Sequence, residues 1–99
     1  MKKIAEEYEN NLKIDLLEPA EAAEYLNAAL EDGSQEVFLM ALKDVAKARG
    51  ISEIARESKL NRENLYRVLS EKGNPKLKSL NSVLHSIGLK LSVEVGNQL

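Results

Sequence analysis

The sequence predicts an all-α domain, a bundle of about five short helices followed by one short β-strand over residues 89–95. Its 99 residues are enough for one domain and too few for two. Only 4% of the residues are aromatic, so the core must be built from Leu, Ile, Val and Ala, which suits small packed helices. From residue 18 the apolar residues recur at helical spacing, and after residue 88 they alternate instead.

The first 17 residues form an N-terminal arm with conflicting patterns. Ile4, Tyr8 and Leu12 fit the spacing of a helix, whereas LKIDL, residues 12–16, alternates apolar and polar side chains as a strand does. We expect residues 1–10 to be loosely helical or disordered. The arm is therefore either flexible or contributes a short strand over residues 12–16, and the folded domain is expected to span residues 18–99.

Two longer helices are predicted next. In EPAEAAEYLNAALEDG, residues 18–33, Pro19 suits the first helical position and Gly33 a helix stop. Ser34 is expected to cap the second helix, which runs to Arg49 and ends at Gly50. The apolar residues of each helix form one stripe, so we expect both helices to face a shared core. The stripes are Ala22, Ala23, Leu26, Ala29 and Leu30, and then Val37, Phe38, Ala41, Leu42, Val45 and Ala48.

Two short helices are predicted to follow, joined by a tight turn. Ser52 is the expected cap of the first, EIARES, and Asn61 is the expected cap of the second, RENLYRVLS. The apolar side chains that these helices should bury are Ile54, Ala55, Leu65, Val68 and Leu69.

The last helix and the strand complete the predicted domain. EKGNP, residues 71–75, is a loop, and Gly88 should end a helix that buries Leu77, Leu80, Val83, Leu84 and Ile87. In LKLSVEV, residues 89–95, one face of the strand carries Leu89, Leu91, Val93 and Val95.

An isolated strand leaves its backbone hydrogen-bonding groups unpaired, so the predicted strand needs a partner. The candidates are the N-terminal strand, the same strand of a dimer mate, or the edge of a sheet in another protein. We favour a homodimer with its interface at Leu89, Leu91, Val93 and Val95. The alternative is that these side chains only close the core of the monomer.

The charges are distributed unevenly along the chain. Residues 1–36 hold three Lys and ten Asp or Glu, a net charge of −7, whereas residues 37–99 hold eleven Lys or Arg and six Asp or Glu, a net charge of +5. A basic half suits phosphates, and an acidic half suits a basic partner. The simpler interpretation is two solvated faces of one helical domain.

Several classes of function find no support. The chain has no Cys and a single His, His85, which leaves no thiolate nucleophile and no Cys-based metal site. No glycine belongs to a phosphate-binding loop, and no catalytic arrangement of Ser, Asp or Glu is specified. No apolar run approaches the ~20 residues that cross a bilayer, and MKKIAEEYENN lacks the apolar centre of a signal peptide. We expect a cytoplasmic protein that is not an enzyme, needs no metal or cofactor and has no membrane partner.

Residues 52–70 have the layout of a DNA-binding helix-turn-helix. Such a unit requires a small residue where its two helices cross and an apolar side chain in its turn, and Ala55 and Leu60 supply these. The second helix hides one stripe and leaves its opposite face free to enter a major groove. The side chains expected to contact bases are Arg62, Glu63, Asn64, Tyr66 and Arg67, and those expected to contact phosphates are Arg56, Lys72, Lys76 and Lys78.

The residue types on this face suit base recognition. Arg can bond guanine and Asn can bond adenine in a bidentate way, while contacts to phosphates fix register without carrying sequence information. The alternative is an ordinary solvated helix face. Asn64 has an alternative of its own, because it lies three residues after the Asn61 cap, where its side chain can serve the helix start.

The helix-turn-helix and the segments on either side of it resemble those of a known protein family. ISEIARESKLNRENLYRVLSEKGNPKLKSLNSVLHSIGLKLSVEV, with AEYLNAALEDGSQEVFLMALKDVAKARG before it, resembles the addiction-module antidote proteins over about residues 19–95. These are antitoxins of the Xre/lambda-repressor-like helix-turn-helix superfamily. The resemblance implies a lambda-repressor-like helix-turn-helix bundle that neutralises a RelE-like ribonuclease toxin by direct binding. It also implies a homodimer that represses its own operon at a palindromic operator of double-stranded DNA.

The resemblance also gives the acidic half of the chain a role. RelE-like toxins are basic, so the expected toxin contacts are Glu18, Glu21, Glu24, Glu31 and Asp32. A stand-alone phage-type repressor without a toxin partner is the alternative function.

The sequence departs from the family pattern at two positions. Lys59 stands in the inter-helix turn where the superfamily usually has Gly, and a left-handed backbone there costs a non-Gly residue about 1 kcal/mol. Lys76 stands near the start of the next helix where Ser or Thr is common, and it exchanges a helix cap for a phosphate contact.

Overall fold

The computed structural model describes residues 15–96, and the predictions for residues 1–14 of the N-terminal arm lie outside this range. Five helices follow one another along the described chain: α1 (Pro19–Glu31), α2 (Gln35–Arg49), α3 (Ile51–Ser58), α4 (Arg62–Val68) and α5 (Leu77–Ser86). This confirms the predicted bundle of about five helices. None of the described helices is long and apolar enough to span a membrane.

The chain enters α1 through a helical turn. Asp15 and Leu16 are helical, the Glu18 N–H donates to the Asp15 carbonyl at 3.1 Å, and Leu16 is buried in the core. The predicted strand over residues 12–16 is therefore wrong at its last two residues. The period-two pattern of LKIDL is short, and burying Leu16 needs only one turn of helix.

The α1 and α2 helices form an antiparallel hairpin. Ser34 caps α2 as predicted, since its Oγ accepts from the Val37 N–H at 3.3 Å. Farther along the hairpin, the Tyr25 hydroxyl donates to Asp44 Oδ2 at 2.8 Å. The Ser34 cap fixes where α2 begins, and the bond between Tyr25 and Asp44 joins the two helices to each other.

The centre of the bundle is α3, which packs against α2, α4 and α5. The largest fully buried side chains surround it, and Ile54 of α3 is one of them. The others are Leu39, Leu42, Val45, Leu65, Leu69, Val83 and Ile87. Most of the predicted stripe residues are buried or half-buried, but Leu30, Val37 and Leu77 are exposed.

A single residue, Gly50, both ends α2 and begins α3. Its N–H donates to the Ala46 carbonyl at 2.8 Å, and its own carbonyl accepts from the Ile54 N–H at 3.0 Å. Its φ of 112° and ψ of 119° suit glycine alone. The prediction that Ser52 caps α3 is wrong, because the shared Gly50 places the first helical residue at Ile51.

The C-terminal end of α5 closes without a strand. Gly88 has a φ of 80°, its N–H donates to the His85 carbonyl at 3.0 Å, and the Leu89 N–H donates to the Leu84 carbonyl at 2.8 Å. This pair of bonds is a Schellman motif, in which the residue after the glycine packs back on the helix. Leu89 accordingly packs against the core.

The prediction of a strand over residues 89–95 is wrong, since residues 89–96 adopt no regular secondary structure. A strand needs a neighbour to complete its ladder, and within residues 15–96 no segment pairs with this one. Among the four predicted interface residues, Leu89 is half-buried, Leu91 is exposed, and Val93 and Val95 are 98% and 99% exposed. The alternating apolar side chains that follow Leu89 therefore do not close the core of the monomer.

We expect Gly50→Ala to destabilise the domain by about 1–3 kcal/mol, because an alanine at this φ is strained. An added Cβ would meet nothing within 4 Å, so the backbone alone accounts for the loss. Thermal unfolding followed by circular dichroism measures it as a lower Tm.

Gly96→Ala is the matched control. An added Cβ also meets nothing there, and Gly96 has no positive φ. Equal melting temperatures for the two variants would show that α2 and α3 do not depend on the conformation of Gly50.

Candidate nucleic-acid interface

The turn between α3 and α4, residues 59–61, is held by Ser58. The Ser58 side chain is buried, its Oγ donates to the Ala55 carbonyl at 3.4 Å, and the same Oγ accepts from the Leu60 N–H at 3.4 Å. Leu60 packs against the core, as predicted for the apolar side chain of the turn. The hydroxyl thus bridges the last turn of α3 to the connection that follows.

Lys59 occupies the left-handed region, with φ 63° and ψ 20°. Within residues 15–96 it is the one residue other than glycine with a positive φ. Its side chain is exposed, so no contact in the core compensates for the strain. Lys59 therefore adopts the left-handed conformation that glycine favours.

The α4 helix is fixed at its start and along one stripe. Asn61 caps it as predicted, because its Oδ1 accepts from the Asn64 N–H at 2.7 Å. Leu65, Val68 and the following Leu69 are buried. The cap uses only the backbone of Asn64 and leaves the Asn64 side chain exposed.

The opposite face of α4 is open to solvent. All five side chains predicted to contact bases lie there: Arg62, Glu63, Asn64, Tyr66 and Arg67. Arg67 Nη2 lies 3.8 Å from Glu63 Oε1, an exposed ion pair one helical turn long. Such a pair contributes little to stability, so its side chains are free to exchange it for another partner.

A groove beside α4 brings part of the predicted set together. Asn64 and Arg67 line it from the helix, and Asn74, Lys76 and Ser79 line it from the loop and the start of α5. We call it the Lys76 groove. Lys76 occupies the N-cap position of α5 and makes no side-chain cap, as its departure from Ser or Thr predicts. The first backbone N–H groups of α5 therefore have no capping side chain.

The other predicted phosphate contacts lie outside this groove. Arg56 is exposed on α3, Lys72 is exposed in the loop after α4, and Lys78 is exposed in the first turn of α5. Arg56 belongs to the α3–α4 unit, and Lys72 and Lys78 follow it in sequence. Of the predicted phosphate contacts, only Lys76 joins Arg67 in one concave surface.

Two residues that position this surface, Gln35 and Gly73, are not predicted to do so from the sequence. Gln35 Nε2 donates to the Gly73 carbonyl at 2.9 Å, which ties the loop after α4 to the start of α2. A Cβ at Gly73 would lie 3.0 Å from the carbonyl oxygens of Arg67 and Ser70, so the loop passes closely over the end of α4. The letters EKGNP indicate a turn, but they carry no signal for this close approach or its distant partner.

The acidic residues predicted to contact a toxin do not share one surface. Glu18, Glu21, Glu24, Glu31 and Asp32 are all exposed on α1 or at its ends. Asp32 lines a depression between α1 and α2, whereas Glu31 lines another one with Ser92 and Glu94. His85 is exposed, and residues 15–96 contain no group of His, Cys, Asp or Glu suited to a metal ion.

Comparison with known proteins identifies the family. The sequence model of a family described as "probable addiction module antidote protein" matches residues 6–95. The chain belongs to this antidote family. An uncharacterized protein of Haemophilus influenzae is 40% identical to it over 70 residues, which cover 71% of this chain and 72% of the relative. No solved structure matches.

Membership of the antidote family implies a toxin as partner, because an antidote acts on the toxin of its addiction module. The match covers the α3–α4 unit, the Lys76 groove and the α1–α2 hairpin together. The surfaces described above therefore lie within the part of the chain that matches the family model.

We expect Lys59→Gly to stabilise this antidote by about 0.5–1 kcal/mol. Removing the Cβ relieves the left-handed strain, and the greater freedom of glycine in the unfolded chain offsets part of the gain. Thermal unfolding should show a Tm a few degrees higher.

Lys59→Ala provides the matched control, because it removes the same charge and the same long side chain but keeps the Cβ. Its Tm should not rise. A lower Tm for Lys59→Gly than for the unmodified antidote would contradict the assignment of strain to this turn.

Proposed function

We propose that this antidote neutralises a RelE-like ribonuclease toxin by direct binding and represses its own operon through sequence-specific DNA binding. The α3–α4 unit acts as a helix-turn-helix with α4 as the recognition helix. The observation that carries the DNA-binding half is the division of α4: Leu65 and Val68 are buried, while five side chains suited to base edges are exposed.

The dimensions of α4 suit the major groove. Seven residues form a helix about 10 Å long, and the major groove of B-DNA is about 12 Å wide. Arg62 and Arg67 offer bidentate donors for guanine, and Asn64 offers the amide that pairs with adenine. Glu63 can accept from cytosine N4, and in free protein it lies near Arg67.

The Lys76 groove supports a phosphate contact beside the recognition helix. The Lys76 ammonium and the uncapped N-terminus of α5 both favour an anion, and Arg67 lines the same groove. A DNA backbone bound there would place α4 at the adjacent bases. Arg56, Lys72 and Lys78 add exposed positive charge on the neighbouring elements.

A homodimer is part of the proposal. A recognition helix of seven residues makes few contacts, and a two-fold dimer doubles them across a palindromic operator. Leu91, Val93 and Val95 are exposed apolar residues that follow the half-buried Leu89, and the same segment of a second copy would remove them from solvent. The proposal includes a cytoplasmic location, because the antidote must reach operator DNA.

For the DNA-binding half, we expect Arg67→Ala and Arg62→Ala each to weaken operator binding by about 5- to 150-fold, the effect of losing about 1–3 kcal/mol of base contact. Fluorescence anisotropy with the palindromic sequence upstream of the operon measures it. The affinity of the unmodified antidote should fall steeply with salt concentration.

Glu94→Ala is the control for this experiment, since Glu94 is exposed and remote in sequence from α4. Unfolding should confirm that Arg67→Ala keeps its stability, because its ion pair with Glu63 is exposed. Equal losses of DNA affinity in all three variants would defeat the assignment of α4 as the recognition helix.

For the toxin-binding half, we expect a short basic reading frame beside the gene to encode the toxin. The antidote should co-purify with the tagged product of that reading frame and restore growth when the product is expressed. Removing residues 1–14 keeps the buried Leu16 and tests the arm separately. An unchanged complex would exclude residues 1–14 from the interface, and no complex with the full chain would contradict toxin binding.

A further inference from the structure

The α1–α2 hairpin carries an open groove on its surface, which we call the acidic groove. Its floor and ends are formed by Tyr25, Ala28, Asp32, Val37, Met40 and Asp44. It shares no lining residue with the Lys76 groove. The surface proposed for DNA and this groove are therefore separate features of the chain.

The floor of the acidic groove exposes apolar side chains. Met40 is 51% exposed and Val37 is 38% exposed, although both lie on a helix whose other side is fully packed. Methionine is flexible and polarizable, so it adapts to the shape of an apolar partner. An apolar surface left open beside the core marks a place where another chain can bury area.

The residues that line the groove have the same spacing on both helices. Tyr25, Ala28 and Asp32 follow one another at i, i+3 and i+7 on α1, and α2 repeats this spacing with its own stripe of Val37, Met40 and Asp44. Two antiparallel helices with such stripes form a trough that accepts a third helix. A partner helix would present apolar side chains at the complementary spacing.

The ends of the groove carry negative charge. Because the hairpin is antiparallel, Asp32 lies at its loop end and Asp44 lies beside Tyr25, farther along the trough. Both carboxylates are exposed, and neither forms an ion pair with a side chain of the described chain. Glu24 and Glu36, one turn before Ala28 and Met40, are exposed as well.

We propose that the acidic groove holds an amphipathic helix of the toxin with an apolar ridge at its centre and Lys or Arg toward both ends. This inference rests on the proposed toxin binding and assigns its surface and chemistry. A cationic partner gains ion pairs with Asp32 and Asp44, whereas a second copy packed groove to groove would bring carboxylates against carboxylates. Lys47 lies on α2 one turn beyond Asp44, and its positive charge would repel a Lys or Arg of the partner. The cationic residues of the partner helix should therefore lie no farther along α2 than Asp44.

The groove provides the anchor of the interface and not all of it. A stable interface buries about 800 Å² on each partner, which is more than one short trough supplies. Anchors of this kind dominate binding energy when apolar side chains enter a pocket that is rimmed by polar groups. The toxin must therefore make further contacts around the hairpin, with Met40 at the energetic centre.

The groove also divides the acidic residues that sequence reasoning treats as one set. Asp32 belongs to it, whereas Glu31 lines a different depression with Glu94. Neighbouring carboxylates on the same helix end should thus contribute unequally to toxin affinity.

The test measures the affinity of the antidote for the tagged product of the neighbouring reading frame by calorimetry and co-purification. Met40→Lys and Asp32→Lys should each weaken binding by tenfold or more. The matched controls are Leu77→Lys, an exposed apolar residue of α5, and Glu31→Lys, which makes the same charge change one residue away. Both controls should stay within about twofold of the unmodified antidote, and all four variants should keep its melting temperature.

Three results would overturn the inference, and they differ in whether they also overturn the proposed toxin binding. Undiminished binding by Met40→Lys and Asp32→Lys rejects the acidic groove and leaves toxin binding intact. Loss of the dimer in Met40→Lys by light scattering, with toxin affinity retained, assigns the groove to a second copy instead. No binding by the unmodified antidote rejects the proposed toxin function together with the groove.

Discussion

The architecture depends on the burial of one short helix. An α-helix of eight residues is too short to be stable in water, so α3 persists because Ile54 is fully buried and because α2, α4 and α5 surround it. The position of α4 follows from this packing, since only residues 59–61 separate the two helices. The orientation of the exposed arginines is therefore a consequence of the core, and every change that loosens α3 also moves α4.

The two halves of the chain carry opposite charge onto different elements. Within the described residues, Glu18, Glu21, Glu24, Glu31 and Asp32 lie on α1 or at its ends, and Asp32 lines the acidic groove. The cations around the Lys76 groove lie instead on α4, its following loop and the start of α5. Separate surfaces of opposite sign suit two partners of opposite charge, a nucleic acid and a cationic protein. The net charge of −2 conceals this arrangement completely.

Local signals predicted the helices well, and contacts between distant residues explain what they missed. Pro19, Ser34 and Asn61 mark helix starts because capping depends on neighbours within one turn, so the letters alone suffice. Ser52 failed because Gly50 serves two helices at once, and the strand over residues 89–95 failed because a strand requires a partner that alternation does not specify. The bond from Gln35 to Gly73 spans 38 residues and the bond from Tyr25 to Asp44 spans 19, so neither has a local signature.

The shared cap at Gly50 limits how the length of the chain can vary during evolution. With no linker between α2 and α3, one inserted residue would extend a helix and rotate everything beyond it by about 100°. Ile54 would then leave the core, and α4 would turn away with it. Insertions and deletions should therefore be confined to segments such as residues 90–96, which follow the last helix and its Schellman motif without setting the register of any helix.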